Sequence, residues 1–113
     1  MSRDWRGFLD DMIESSERAV SFVRGLDFTS FVADAKTRSA VQRELFVIGE
    51  AAKQIPLEVR TCEPAIDWRG LAGLRDLLAH QYFRIDDAIV WDVVTSELPG
   101  LAVRVRALAA RLP

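Results

Sequence analysis

The sequence predicts an all-α fold, an up-and-down bundle of four to five helices whose last helix is kinked or broken near Pro99. Three observations carry this. Apolar residues recur at steps of three and four in four separate segments. No segment alternates apolar and polar residues for long enough to make a strand; Ala88 to Val94 is rich in β-branched residues but sits within helical spacing. Gly25, Pro56 and Pro99 fall where helices must stop or bend.

The first segment places Trp5, Phe8, Leu9, Met12, Ile13, Ala19, Val20 and Val23 on one face of a helix from Arg3 to Arg24, roughly 30 Å long, with Ser2 as cap, Asp4 in its first turn and Gly25 at its end. Its opposite face carries Asp10, Asp11, Glu14, Glu17 and Arg18, a solvated row with no histidine nearby to complete a metal site. Asp27 to Ser30 reads as a turn that folds Phe28 and Phe31 onto the core. Asp34 or Thr37 caps a second helix with the apolar line Val41, Leu45, Ile48, Ala52 and Ile55, stopped by Pro56. Ala40, Gly49 and Ala51 are small enough to admit a neighbouring helix; Arg43 and Glu44 read as surface charges, and Glu50 as one able to reach that neighbour. Leu57 to Ile66 reads as a loop with at most one irregular turn.

Asp67 then caps a third helix starting at Trp68, with Leu71, Leu74 and Leu78 as its stripe; Gly70 and Gly73 weaken it and suit close packing by a partner helix. Asp86 or Asp87 caps the final segment, where Ile89, Val90, Val93 and Val94 form one patch and Leu98, Leu101, Val105, Leu108 and Leu112 the next.

With 113 residues, 50% hydrophobic and 28% charged, the chain has the makeup of one globular domain spanning residues 1–113, not of a disordered segment. A net charge of -2 gives no global attraction to nucleic acid, so RNA contact needs a local basic patch. Cys62 is the single cysteine, which excludes an internal disulfide and a thiolate metal cluster. The N-terminus lacks the basic-then-apolar pattern of a secretory signal, and no apolar run approaches the roughly 20 residues needed to span a bilayer. The expected setting is cytoplasmic, with no membrane.

Polar chemistry concentrates in Leu74-Arg75-Asp76-Leu77-Leu78-Ala79-His80-Gln81-Tyr82, which holds the only histidine and the only tyrosine. Histidine moves protons near neutral pH, and arginine supplies a fork of donors suited to phosphate oxygens. RNA brings its own 2′-hydroxyl nucleophile, so its cleavage needs proton transfer and charge stabilisation but no metal. Asp76 can orient either partner, and Tyr82 can meet a phosphate or stack on a base. Against this, Arg75 and His80 leave a regular helix about 140° apart, which calls for a helix end, a bend or a second subunit. The same residues also fit a hydrogen-bonded structural histidine, a surface arginine and a packing tyrosine. A lone histidine argues against a mononuclear zinc site.

The run from Leu74 to Tyr82 resembles the Arg-x4-His-x-Tyr signature of the HepT-like family within the HEPN superfamily. The likeness extends through Arg3-Asp4, Ala40-Val41 with Arg43, Ile48-Gly49-Glu50-Ala51-Ala52, Ile66-Asp67-Trp68, Asp86, Trp91 and Leu98-Pro99. The resemblance implies a homodimeric helical bundle, the toxin of a toxin–antitoxin system, and a metal-independent RNase acting on cellular RNA, tRNA among its candidate targets. Its partner would be a cognate minimal nucleotidyltransferase antitoxin. Arg75 and His80 would be the catalytic residues in a cleft at the dimer interface, Asp76 their support, Arg69 and Arg84 a rim for RNA, and Tyr82 the tyrosine that receives AMP. No cofactor is implied. An alternative reading makes such chains accessory, nucleotide- or substrate-binding subunits of the nucleotidyltransferase.

Overall fold

The structure, a computed structural model, describes residues 4–112. Helices α1 (Trp5–Phe22), α2 (Phe28–Ala33), α3 (Ala35–Lys53), α4 (Leu57–Arg60), α5 (Trp68–His80), α6 (Asp87–Asp92) and α7 (Leu98–Arg111) make an all-α bundle, with no strand among the described residues. A 3₁₀ turn, Tyr82–Arg84, follows α5, and a π-helical turn, Val93–Glu97, joins α6 to α7.

Aspartates start most of these helices. Asp4, Asp27, Asp34, Asp67 and Asp86 each accept a backbone N–H from the first turn of α1, α2, α3, α5 and α6. Each satisfies a donor that would otherwise lack an intrahelical partner. Asp4 is thus itself the cap of α1; Ser2 and Arg3 lie outside the described residues. The stretch after Gly25, expected as a turn, is the short helix α2, because Asp27 bonds Ser30 N at 2.8 Å and closes a helical turn. Gly25 itself takes φ 81°, the left-handed conformation that ends α1.

The core sits where α3 packs between α1 and α5, with α7 on the far side of α1. Helices α1 and α3 run antiparallel: Arg18 meets Glu44, while Phe8 and Asp11 lie beside Val47, Glu50 and Gln54. Leu9, Met12, Phe31, Val41, Leu45, Ile48, Val94, Leu98, Val105 and Leu108 are buried. Phe31 packs on Trp91 at 5.2 Å between ring centroids; Phe28 also reaches Trp91 but stays exposed, so only Phe31 enters the core as expected. Ile89, expected in the first apolar patch of the final segment, is likewise exposed.

Glu44 is not a surface charge. It is buried between Arg18 Nη1 at 2.9 Å and Arg43 Nη1 at 3.1 Å, and the two guanidiniums supply the charge-assisted bonds a buried carboxylate requires. Arg106 closes a fork on Glu17 at 2.6 and 2.9 Å, fixing α7 to α1. The break near Pro99 takes the form of the π turn just before it. Proline lacks an N–H and crowds the carbonyl four residues back, and the wider turn accommodates both before Pro99 enters the first turn of α7.

Candidate active site

Helix α5 is anchored at both ends. Asp67 Oδ1 accepts from Gly70 N at 2.9 Å, and the Trp68 indole donates to Glu63 O at 3.1 Å. At the other end Gln81 leaves helical geometry (φ -134°, ψ 44°) although its N–H still bonds Leu77 O at 2.9 Å. The helix therefore ends at His80, without a bend at Ala79.

Between these anchors α5 crosses α3 at Gly49. A Cβ added there would collide with Arg75 Cβ and come within 2.6 Å of Leu71 O. Only a glycine lets the two backbones meet at this distance. The close approach at Gly49 was expected; the one also expected at Gly70 and Gly73 is not found. In the structure Gly70 leaves room for the Asp67 carboxylate that caps its own helix, and Gly73 has nothing within 4 Å of where its Cβ would be.

The crossing places Arg75 among side chains of α3. Its Nε lies 2.7 Å from Glu50 Oε1, an ion pair without an aligned N–H···O bond, and its guanidinium carbon lies 5.3 Å from the Phe46 ring centroid. Arg75 Nη1 donates to Asp76 Oδ1 at 3.1 Å, and Lys53 Nζ donates to the same oxygen at 3.1 Å. Lys53, and secondarily Arg75, hold the Asp76 carboxyl below its ordinary value. Asp76 therefore stays a carboxylate, an acceptor only, at neutral pH.

Arg75 Nη1 also stands 3.5 Å from His80 Nε2. The arginine side chain spans the angular gap that argued against the pair on one helix, so both groups meet within a single chain. A guanidinium only donates. The contact is a long hydrogen bond when Nε2 is unprotonated, the form that can accept a proton, and protonation of that nitrogen ends it. His80 is exposed and Arg75 largely covered, so the arginine is fixed while the imidazole faces solvent.

Tyr82 is 74% exposed in the turn beyond His80, not a packing ring. Arg84, in the same turn, lies with its guanidinium carbon 5.9 Å from the Phe83 ring. Arg69 is exposed in the first turn of α5, about 9 Å along the axis from Arg75, and does not join the Arg75–His80 cluster. Glu50 reaches the neighbouring helix as expected, and the fold adds Phe46 and Lys53 beside it. With Gly49 these three follow i, i+3, i+4, i+7 spacing, a second face of α3 beside its apolar line. Among the described residues no cluster of three or more His, Cys, Asp or Glu could hold a metal ion. No helix is long and apolar enough to cross a membrane among those residues.

A groove of ≈ 450 Å³ lies elsewhere, between α5 and the α6–α7 segment, lined by Leu71, Leu74, Ile89, Val93 and Leu101 among others. Arg75 and His80 do not line it. His80 is exposed and part of Arg75 is accessible beside it, so the pair can be reached from solvent.

The family model described as ribonuclease HepT-like matches residues 12–108. The chain belongs to this family. A Thermococcus cleftensis protein named "Probable ribonuclease HepT" is 40% identical over 89% of this HepT-like chain and 92% of its own length. A Methanocaldococcus jannaschii protein named "Putative RNase" is 41% identical over 87% and 81%. One of the same name from Caldanaerobacter subterraneus is 34% identical over 91% and 92%. No solved structure matches the chain at the same stringency.

Proposed function

We propose that this HepT-like chain is a metal-independent endoribonuclease, the toxin of a toxin–antitoxin pair. The observation that carries the reading is the 3.5 Å contact between Arg75 Nη1 and Nε2 of the exposed His80. The names of its relatives, ribonuclease and RNase, support the substrate.

The nucleophile is the RNA 2′-hydroxyl beside the scissile phosphate. His80 in its neutral form takes the hydroxyl proton, and the 2′-oxygen attacks phosphorus as the bond to the 5′-oxygen breaks. Arg75 meets the charge on the non-bridging oxygens. Glu50 and Phe46 hold the guanidinium in place, and Asp76 supports it as a fixed carboxylate. The departing 5′-oxygen needs a proton while each chain has one histidine, so the active form is a homodimer in which a second copy completes the cleft. Arg69 and Arg84 contribute to the rim that meets flanking phosphates.

Tyr82 is the acceptor for AMP, transferred by a minimal nucleotidyltransferase that serves as antitoxin. Its exposure leaves the hydroxyl within reach of an enzyme. The added phosphate places negative charge beside the site and repels RNA. Induced expression tests this: the wild-type chain arrests growth, whereas Arg75→Ala and His80→Ala do not. Co-expression of the nucleotidyltransferase restores growth, with AMP mapped to Tyr82 by mass spectrometry. Arrest by both folded variants, or AMP mapped elsewhere with Tyr82 untouched, contradicts it.

A further inference from the structure

The 3₁₀ turn after α5 carries two large aromatic side chains into solvent. Tyr82 is 74% exposed and Phe83 70%. Their rings meet edge to face, with centroids 5.8 Å apart and planes at 85°, and the Arg84 guanidinium carbon stands 5.9 Å from the Phe83 ring. The turn is fixed from both sides. Arg84 N donates to Gln81 O at 2.8 Å, Ile85 N donates to Tyr82 O at 3.3 Å, and Ile85 packs against the core. Phe83 is thus held outside while its neighbour two residues on is drawn in.

From this we infer that Phe83 is a stacking platform for an unpaired nucleobase, and that the substrate is single-stranded RNA. The inference rests on the ribonuclease reading above. Phe83 lies three residues beyond His80, so their Cα atoms are at most about 11 Å apart, within the reach of the nucleotides flanking a phosphate at the Arg75–His80 pair. A phenyl face accepts any base, and a neighbouring arginine adds attraction for the π face or the adjoining phosphate. Bases in a duplex are already stacked and cannot use such a ring, whereas unpaired bases can splay onto it.

The test uses the full-length, unmodified protein and a fluorescein-labelled oligoribonucleotide made uncleavable by 2′-O-methylation at every position, single-stranded or annealed to its complement. Fluorescence anisotropy should show at least about tenfold tighter binding of the single strand. Phe83→Ala should weaken that binding by about 5- to 150-fold, the range that loss of one base stack produces. Phe83→Trp should retain it, and Phe83→Leu, apolar but without a π face, should behave like the alanine variant. The inference is overturned if single strand and duplex bind alike, or if Phe83→Ala or Phe83→Leu binds like wild type. It is equally overturned if sedimentation shows that Phe83→Ala weakens binding only by dissociating a dimer. Cleavage of an unmodified oligonucleotide by His80→Ala, run in parallel, separates the two readings. Full cleavage there removes the catalytic assignment and leaves the platform standing on its binding data. Lost cleavage with unaltered Phe83→Ala binding removes the platform alone.

Discussion

Arg75 Nη1 lies 3.5 Å from His80 Nε2, although the two residues leave α5 about 140° apart. The side chain that makes up the difference does not swing freely. Glu50 engages its Nε side, Phe46 lies along the guanidinium, and Asp76 takes one of its outer donors. The position of the arginine is therefore set by α3 as much as by its own helix.

Glu50→Ala should accordingly lower kcat/KM for RNA by about 1.5- to 5-fold, the factor that losing a partly exposed ion pair of about 0.2–1 kcal/mol carries. Glu50→Gln, which keeps an oxygen near Nε, should lose less. Steady-state kinetics alongside circular dichroism checks this; unaltered kinetics in Glu50→Ala would show that Arg75 needs no support from α3.

Two glycine-to-alanine changes should act with opposite sign. Gly49→Ala forces α3 and α5 apart, because its Cβ would collide with Arg75 Cβ and press on the Leu71 carbonyl. A loss of about 1–3 kcal/mol is expected for such overpacking, together with reduced cleavage as Arg75 is displaced. Gly73→Ala meets nothing within 4 Å and should gain about 0.5–1 kcal/mol through helix propensity. Thermal melts of the two variants decide it; a lower Tm for Gly73→Ala would reveal something packed over that face.

The ionic cluster has a defined pH signature. Lys53 first, then Arg75, holds the Asp76 carboxyl below its ordinary value. A depressed carboxyl favours the folded state fully above the ordinary aspartate range, and that contribution fades as pH falls from there through the lowered value. Lys53→Gln should move the Asp76 midpoint upward, toward the ordinary value, in a carboxyl ¹³C NMR titration. An unmoved midpoint would mean that the Lys53–Asp76 contact is not populated in solution.

Buried Glu44 should be a stability determinant away from the chemistry. Glu44→Ala removes the acceptor shared by Arg18 and Arg43 and should cost about 1.5–3 kcal/mol in urea denaturation, with Glu44→Gln milder. Stability equal to wild type in the alanine variant would mark the pair as solvent-screened.

The bundle was largely legible because local rules agree with tertiary packing: aspartates before apolar periodicity mark the starts of α3, α5 and α6. What escaped depended on neighbours distant in sequence. Glu44 read as a surface residue because its charge gives no hint that Arg18 lies across the helix pair. The Arg75–His80 pair looked poor because angular spacing describes Cα–Cβ directions and neglects the reach of a long side chain. Glu50 was legible as a charge able to reach a neighbouring helix, but Phe46 and Lys53 were not singled out, and nothing in the spacing names Arg75 as what this face meets. Phe83 lies outside every apolar stripe and carries no polar group, so only its exposure distinguishes it.

The central claim is that Arg75 and His80 together cleave RNA using its own 2′-hydroxyl. The direct measurement is cleavage of a labelled RNA by purified, unmodified protein in excess EDTA, comparing wild type, Arg75→Ala and His80→Ala at matched folded concentration. The account predicts that wild type cleaves with EDTA present, that both variants fall to background, and that a single 2′-deoxy substitution at the cut site blocks wild-type cleavage. Loss of wild-type activity in EDTA, or full activity in His80→Ala, would contradict it.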